Sequence, residues 1–131
     1  MTDKKIRNPL EELYSDAAGA INSKELAEFL KPFLRINRTN KKVFFTADGL
    51  QLQPKKKIIL LLLVRKALFL LGDIEEEETA PKILKREFQK SIPQGTIDVN
   101  LKRLREEGII RGDDSKYFIP DINFQRIREM F

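Results

Sequence analysis

The segment Gly95–Ile110, GTIDVNLKRLREEGII, sets apolar and polar side chains at helical spacing. A step of ~100° per residue brings Ile97, Leu101 and Leu104 into one narrow inward arc. The opposite side then carries Val99, Lys102, Arg103 and Glu106, with Gln94 and Thr96 at the amino-terminal end. Amides, a hydroxyl and cations on an open face are the groups that hydrogen-bond a polyanion. Asp98, Glu106 and Glu107 offset Lys102, Arg103 and Arg105, so this helix is expected to be neutral overall, and pairs such as Lys102–Glu106 and Arg103–Glu107 are expected along it.

Other chemistry is sparse. The 131 residues contain no cysteine and no histidine, which excludes a thiolate nucleophile, a disulfide, an imidazole base and a zinc site of the usual ligands. The carboxylates Asp113–Asp114 fall on a turn, where acidic residues hydrogen-bond the backbone. The four glutamates of DIEEEETAP point in different directions and are expected to form a solvated acidic loop ahead of a helix amino terminus. FLLGDIEEEE has one glycine and no following Lys-Ser or Lys-Thr, so it is no phosphate loop. Nothing converges as a catalytic group must. No enzyme activity, metal or cofactor is expected.

Composition agrees with a soluble, basic, one-core protein. Lysine and arginine total 25 against 20 acidic residues, a net charge of +5, which favours a polyanionic partner. MTDKKIRNPLEELYSD has no apolar signal region, and a cytoplasmic location is expected. The run IILLLLVRKALFLLG, Ile58 to Gly72, is shorter than the ~20 apolar residues a membrane span needs, and Arg65 and Lys66 interrupt it. It reads as a central helix buried on several sides, with no membrane partner.

The elements that must position the open face follow in order. Residues 1–54 are expected to hold a helix around Leu10–Ala18 and a second from Ser23 to about Phe33. Ser23 caps the latter, and Leu26, Phe29 and Leu30 share one face. FLRINRTNKKVFFT alternates Leu34 and Ile36 with Arg35, and Val43 and Phe45 across from them. This predicts a hairpin turning through Arg38–Lys41, whose Arg38, Lys41 and Lys42 are expected to be a solvated tip. A long helix from Lys55 to Leu71 is closed by Gly72. Thr79, Ala80 and Pro81 open the next, which runs to about Lys90 with Ile83, Leu84 and Phe88 as its stripe. Pro93 and Gly95 break the chain before the helix that ends at Gly108. IIRGDDSKYFIP then forms two short strands around a Gly-Asp-Asp-Ser turn. Last comes a terminal helix capped by Asp121, with Ile122, Ile127 and Met130 or Phe131 to bury.

The stretch TAPKILKREFQKSIPQGTIDVNLKRLREEGIIRGDDSKYFIP, preceded by the long helix, resembles the winged helix-turn-helix superfamily of DNA-binding domains over roughly residues 55–120. The resemblance implies a fold that is mainly α with small β. It divides the chain into an amino-terminal helical and hairpin extension (1–54), the winged domain (55–120) and a carboxy-terminal helix (121–131) that packs on the domain or in a dimer contact. It also implies a homodimeric transcription regulator on double-stranded DNA, with the third helix, about residues 94–107, in the major groove and the 109–120 wing on the backbone. Gln94, Thr96 and Asn100 are then placed to address base edges, Val99 a thymine methyl, and Lys102 and Arg103 phosphates or guanine. Further phosphate contacts fall to Lys82, Lys85, Arg86 and Lys90 on the second helix, Arg111 and Lys116 on the wing, and Lys55–Lys57. Other members of the superfamily bind only proteins. A protein partner is the alternative that Val99, the neutral third helix and the Tyr117–Phe118–Ile119 run allow.

Overall fold

The computed structural model describes residues 21–89, 91–113 and 115–131. The helix expected around Leu10–Ala18 lies outside them, as do Lys90 and Asp114. The described chain is mainly helical, with two small antiparallel sheets.

Helix α1 spans Ser23–Leu30. Asn22, not Ser23, is its cap: the Asn22 side-chain oxygen accepts from Lys24 N at 2.9 Å and Glu25 N at 3.1 Å. A cap must be extended, as Asn22 is at φ −82° and ψ 122°, whereas Ser23 is already the first helical residue. The helix stops at Leu30 rather than Phe33 because Pro32 has no N–H to continue the ladder, and Phe33 N donates to Leu30 O at 2.9 Å in a tighter turn. Replacing Asn22 with alanine is expected to cost about 1 kcal/mol, read by chemical denaturation.

Strands β1 (Leu34–Ile36) and β2 (Val43–Phe45) pair antiparallel with Leu34 opposite Phe45, Arg35 opposite Phe44 and Ile36 opposite Val43. Asn37 builds the turn between them, its side-chain oxygen accepting from Thr39 N and Asn40 N. A short helix not foreseen, α2 (Ala47–Leu50), follows. Thr46 caps it, accepting from Gly49 N at 3.2 Å. A Cβ on Gly49 would stand 2.1 Å from Phe33 O, so only glycine lets the two backbones approach this closely.

Helix α3 (Pro54–Leu70) runs through the middle of the core. Every residue from Ile58 to Val64 is buried. Apolar side chains all round a helix need neighbours all round it. Leu26, Leu30 and Leu34, the later helices and the second hairpin surround it in one continuous cluster. Gly72, at φ +80°, closes α3: Gly72 N donates to Phe69 O and Asp73 N to Leu68 O, which satisfies two carbonyls of the last turn.

Helix α4 (Pro81–Phe88) starts on proline, and α5 (Gln94–Glu106) ends in the same way as α3, at Gly108 with φ +77°. Strands β3 (Arg111–Gly112) and β4 (Tyr117–Phe118) form the second hairpin. Tyr117 and Ile119 face the core, which leaves Phe118 half-buried between them. Thr79, just ahead of α4, adds an edge to this hairpin, exchanging two backbone hydrogen bonds with Tyr117 at 2.7 and 2.9 Å. Asp113 organises the turn, accepting from Ser115 N at 2.8 Å and Lys116 N at 3.3 Å.

The terminal segment departs from expectation. Asp121 opens a 3-10 turn (Asp121–Asn123) ahead of α6 (Phe124–Met130) and does not cap a helix. Its carboxylate is taken instead by Ile21 N at 3.1 Å and by the buried Lys66 ammonium. Ile122 is 70% exposed rather than buried, because the 3-10 turn carries it outward. Phe124 and Ile127 bury in its place, and Phe131 packs edge-on to Phe29.

The acidic loop also departs from a purely solvated reading. Glu77 pairs with Lys66 and Glu76 with Lys116, so two of its carboxylates are committed to lysines that are distant in sequence.

Candidate nucleic-acid interface

Helix α5 packs on α3 and α4 through Ile97, Leu101 and Leu104, which are all buried. Its other side stays open: Gln94, Val99, Lys102, Arg103 and Glu106 are exposed, while Thr96 and Asn100 are half-buried. Val99 is 48% exposed at the centre of this face, where an apolar side chain has no structural task. Asn100 is partly committed, because its side-chain amide donates to Thr96 O at 2.8 Å. The carbonyl oxygen and one N–H remain for another partner.

Helix α4 lies beside α5, joined by the ion pair of Lys85 with Asp98 at 3.0 Å. On the α4 wheel, Leu84 and Phe88 point into the core, and Lys82 and Arg86 project from the opposite side. The second hairpin completes the surface. A depression bounded by Pro81, Asp98, Lys102, Arg105 and Tyr117 marks where α4, α5 and β4 meet. Arg111 is exposed on β3. Lys116 is exposed too, but its ammonium is hydrogen-bonded to Glu76, and that bond raises its pKa above the ordinary lysine value.

The cations named from the sequence therefore divide in two. Lys82, Arg86, Lys102, Arg103 and Arg111 have no ion-pair partner among the described residues. Lys85 and Lys116 are held by carboxylates, and Lys55 is held by Glu107 at 2.9 Å. The expected pairs Lys102–Glu106 and Arg103–Glu107 do not form among the described residues; Glu107 turns to α3 instead. A pair of exposed side chains one turn apart gains only a few tenths of a kcal/mol, too little to hold against another partner. Sequence reasoning missed Arg105, which borders the depression, and the carboxylates that neutralise Lys85 and Lys116. Those partners lie 13 and 40 positions away along the chain, beyond any local pattern.

Burial pushes the Arg65 guanidinium below its ordinary value on the far side of α4, with Glu76 and Glu87 opposing the shift. Among the described residues, no group of three or more His, Cys, Asp or Glu side chains is placed to hold a metal ion. No described helix is long and apolar enough to cross a membrane. No family model matches this sequence, and comparison with curated proteins and with solved structures gives no match.

The interface is thus an open ridge of unpaired cations on α4, α5 and β3, with amide, hydroxyl and methyl groups at the start and centre of α5. Such an arrangement can neutralise phosphates over a distance and hydrogen-bond groups between them.

Proposed function

We propose that this protein is a winged helix-turn-helix regulator of transcription that binds duplex DNA as a homodimer. The order α3, the Thr79 edge, α4, a turn at Ser91–Pro93, α5 and the β3–β4 hairpin supports that fold. In this reading α5 enters the major groove, α4 crosses the backbone and the hairpin is the wing. The observation that carries it is the open polar face of α5, free of any intramolecular cover and flanked by unpaired Lys82, Arg86, Lys102, Arg103 and Arg111. Gln94 and Thr96 address base edges, with Val99 against a thymine methyl and Asn100 contributing the groups its own helix leaves free.

Five phosphate-neutralising cations give a log–log salt slope of about −4.5. Affinity for a duplex is therefore expected to fall several hundredfold between 50 and 200 mM salt. A mobility-shift titration at the two concentrations checks this; binding indifferent to salt overturns it. A dimer is favoured by the apolar end of α3, where Leu70 and Leu71 are 49% and 71% exposed beside a groove lined by Leu26, Ala27 and Leu30 of α1. A protruding leucine next to a hole suits an isologous two-fold contact, in which each copy fills the other. Sedimentation at twice the chain mass is the expected result.

One observation favours a second reading. Asp98 and Glu106 lower the charge around exposed Val99, a composition that also suits a protein partner. A stoichiometric protein complex combined with no duplex binding at low salt selects that alternative.

A further inference from the structure

The amino-terminal hairpin is left without a task by the reading above. Residues 31–46, KPFLRINRTNKKVFFT, hold five basic residues and no acidic one, as much positive charge as the whole chain carries net. A hairpin used only for packing needs no such bias.

Its placement gives the bias a direction. The inner face, Leu34, Ile36, Val43 and Phe45, packs into or against the core. Val43 N donates to the Glu87 carboxylate at 3.0 Å, and the Phe45 ring stacks on Phe88 at 6.2 Å between centroids. β2 is therefore seated along one flank of α4. Lys85, which faces α5 through Asp98, and Glu87, which faces β2, stand two residues apart on α4, so about 200° separates their directions. Arg86 projects between them. The order across the surface is α5, then the Lys82 and Arg86 ridge, then the hairpin.

The hairpin's outer face is built from cations around one aromatic ring. Phe44, directly opposite Arg35, is 56% exposed. The Arg35 guanidinium is turned back onto the end of α1, donating to Lys31 O and Leu34 O. Lys41 is occupied by Asp73 at 3.6 Å and by Arg38 O at 2.7 Å. Arg38 and Lys42 are exposed, with no ion-pair partner among the described residues. The acidic neighbours are already engaged: Asp73 holds Lys41, and Glu87 accepts from Val43 N.

We infer that the β1–β2 hairpin is a second DNA-contacting element, which grips the phosphate backbone of the duplex on the α4 side, outside the segment read by α5. Arg38 and Lys42 neutralise the phosphates, and Phe44 lies against the sugar edge between them. The inference rests on the DNA-binding reading and adds to it a longer site whose outer part carries no base specificity.

The test compares the full chain with its Arg38→Ala/Lys42→Ala variant on the same duplex, by salt titration and hydroxyl-radical footprinting. Both side chains are exposed, and circular dichroism verifies that the variant folds. Two lost phosphate contacts should flatten the log–log slope by about 1.8, so the ratio of wild-type to variant affinity shrinks about tenfold between 50 and 200 mM salt. Protection should vanish at one edge of the footprint only, with the preference among sequences unchanged. Arg38→Lys/Lys42→Arg, which keeps both charges, should restore both readouts. If the wild type binds and the alanine variant keeps its slope and its full footprint, the hairpin role is wrong while the DNA reading stands. If the wild type itself binds no duplex at low salt, the DNA reading fails and the hairpin role fails with it.

Discussion

Replacing Lys82, Arg86, Lys102 and Arg103 together with alanine will flatten the salt dependence of duplex binding by about 3.6 in log–log slope, leaving a loss of only a few-fold between 50 and 200 mM salt. Each of these side chains is exposed and has no carboxylate partner among the described residues, so its charge is available to displace a counterion. The effect should be equal on all sequences, because phosphates carry no base information. Gln94→Ala and Thr96→Ala should behave differently, altering the preference among sequences by roughly ten- to a hundredfold if either makes a paired contact with a base edge. The same logic predicts a gain. Asp98→Asn removes the carboxylate that now holds Lys85 at 3.0 Å, so Lys85 becomes a sixth free cation and the slope steepens by about 0.9. A quadruple variant that keeps the wild-type slope would show that α4 and α5 do not lie along a duplex.

Lys66→Met is expected to destabilise the fold by about 3 kcal/mol, the lower end for a broken buried ion pair. Lys66 is 2% exposed and donates to both Glu77 and Asp121. Without it, two carboxylates face each other across a largely apolar space. The cost stays at the lower end because their side chains keep 19% and 34% of their exposure, and water reaches them in part. The melting temperature should fall by roughly 10 °C for a chain of this size. The triple variant Lys66→Met/Glu77→Gln/Asp121→Asn should recover most of the loss, since it leaves no charge unpaired. Denaturant unfolding measures both, and a loss below about 1 kcal/mol for the single variant would place the amine in water instead. The cluster has a topological role too. Asp121 also accepts from Ile21 N, so one carboxylate ties the start of the described chain and the turn before α6 to the central helix.

Local signals accounted for most of the elements. Proline at the start of α3 and α4, and glycine after α3 and α5, act within one turn of helix, so they are visible in any short window. Alternation in residues 34–45 predicted the hairpin and its register, because side chains on a strand switch faces at every residue. Where two local signals competed, the nearer geometry decided. Asn22 outcompeted Ser23 for the cap by one position, and Pro32 ended α1 before Phe33 could join it. Helix α2 was too short to show a period, and its anchor is Gly49 against the backbone of Phe33, a contact 16 residues apart.

Composition and periodicity alone determined the central helix, the buried stripe Ile97–Leu101–Leu104 and the polar face that it leaves, since burying apolar area dominates wherever one face must be hidden. Only the tertiary structure decided which charges on that face are free. Lys85, Lys116 and Lys66 found carboxylates on other elements, whereas Lys102 and Arg103 kept none. The physical reason is reach: an ion pair depends on a separation of a few ångströms in space, which sequence spacing does not encode once the chain has turned.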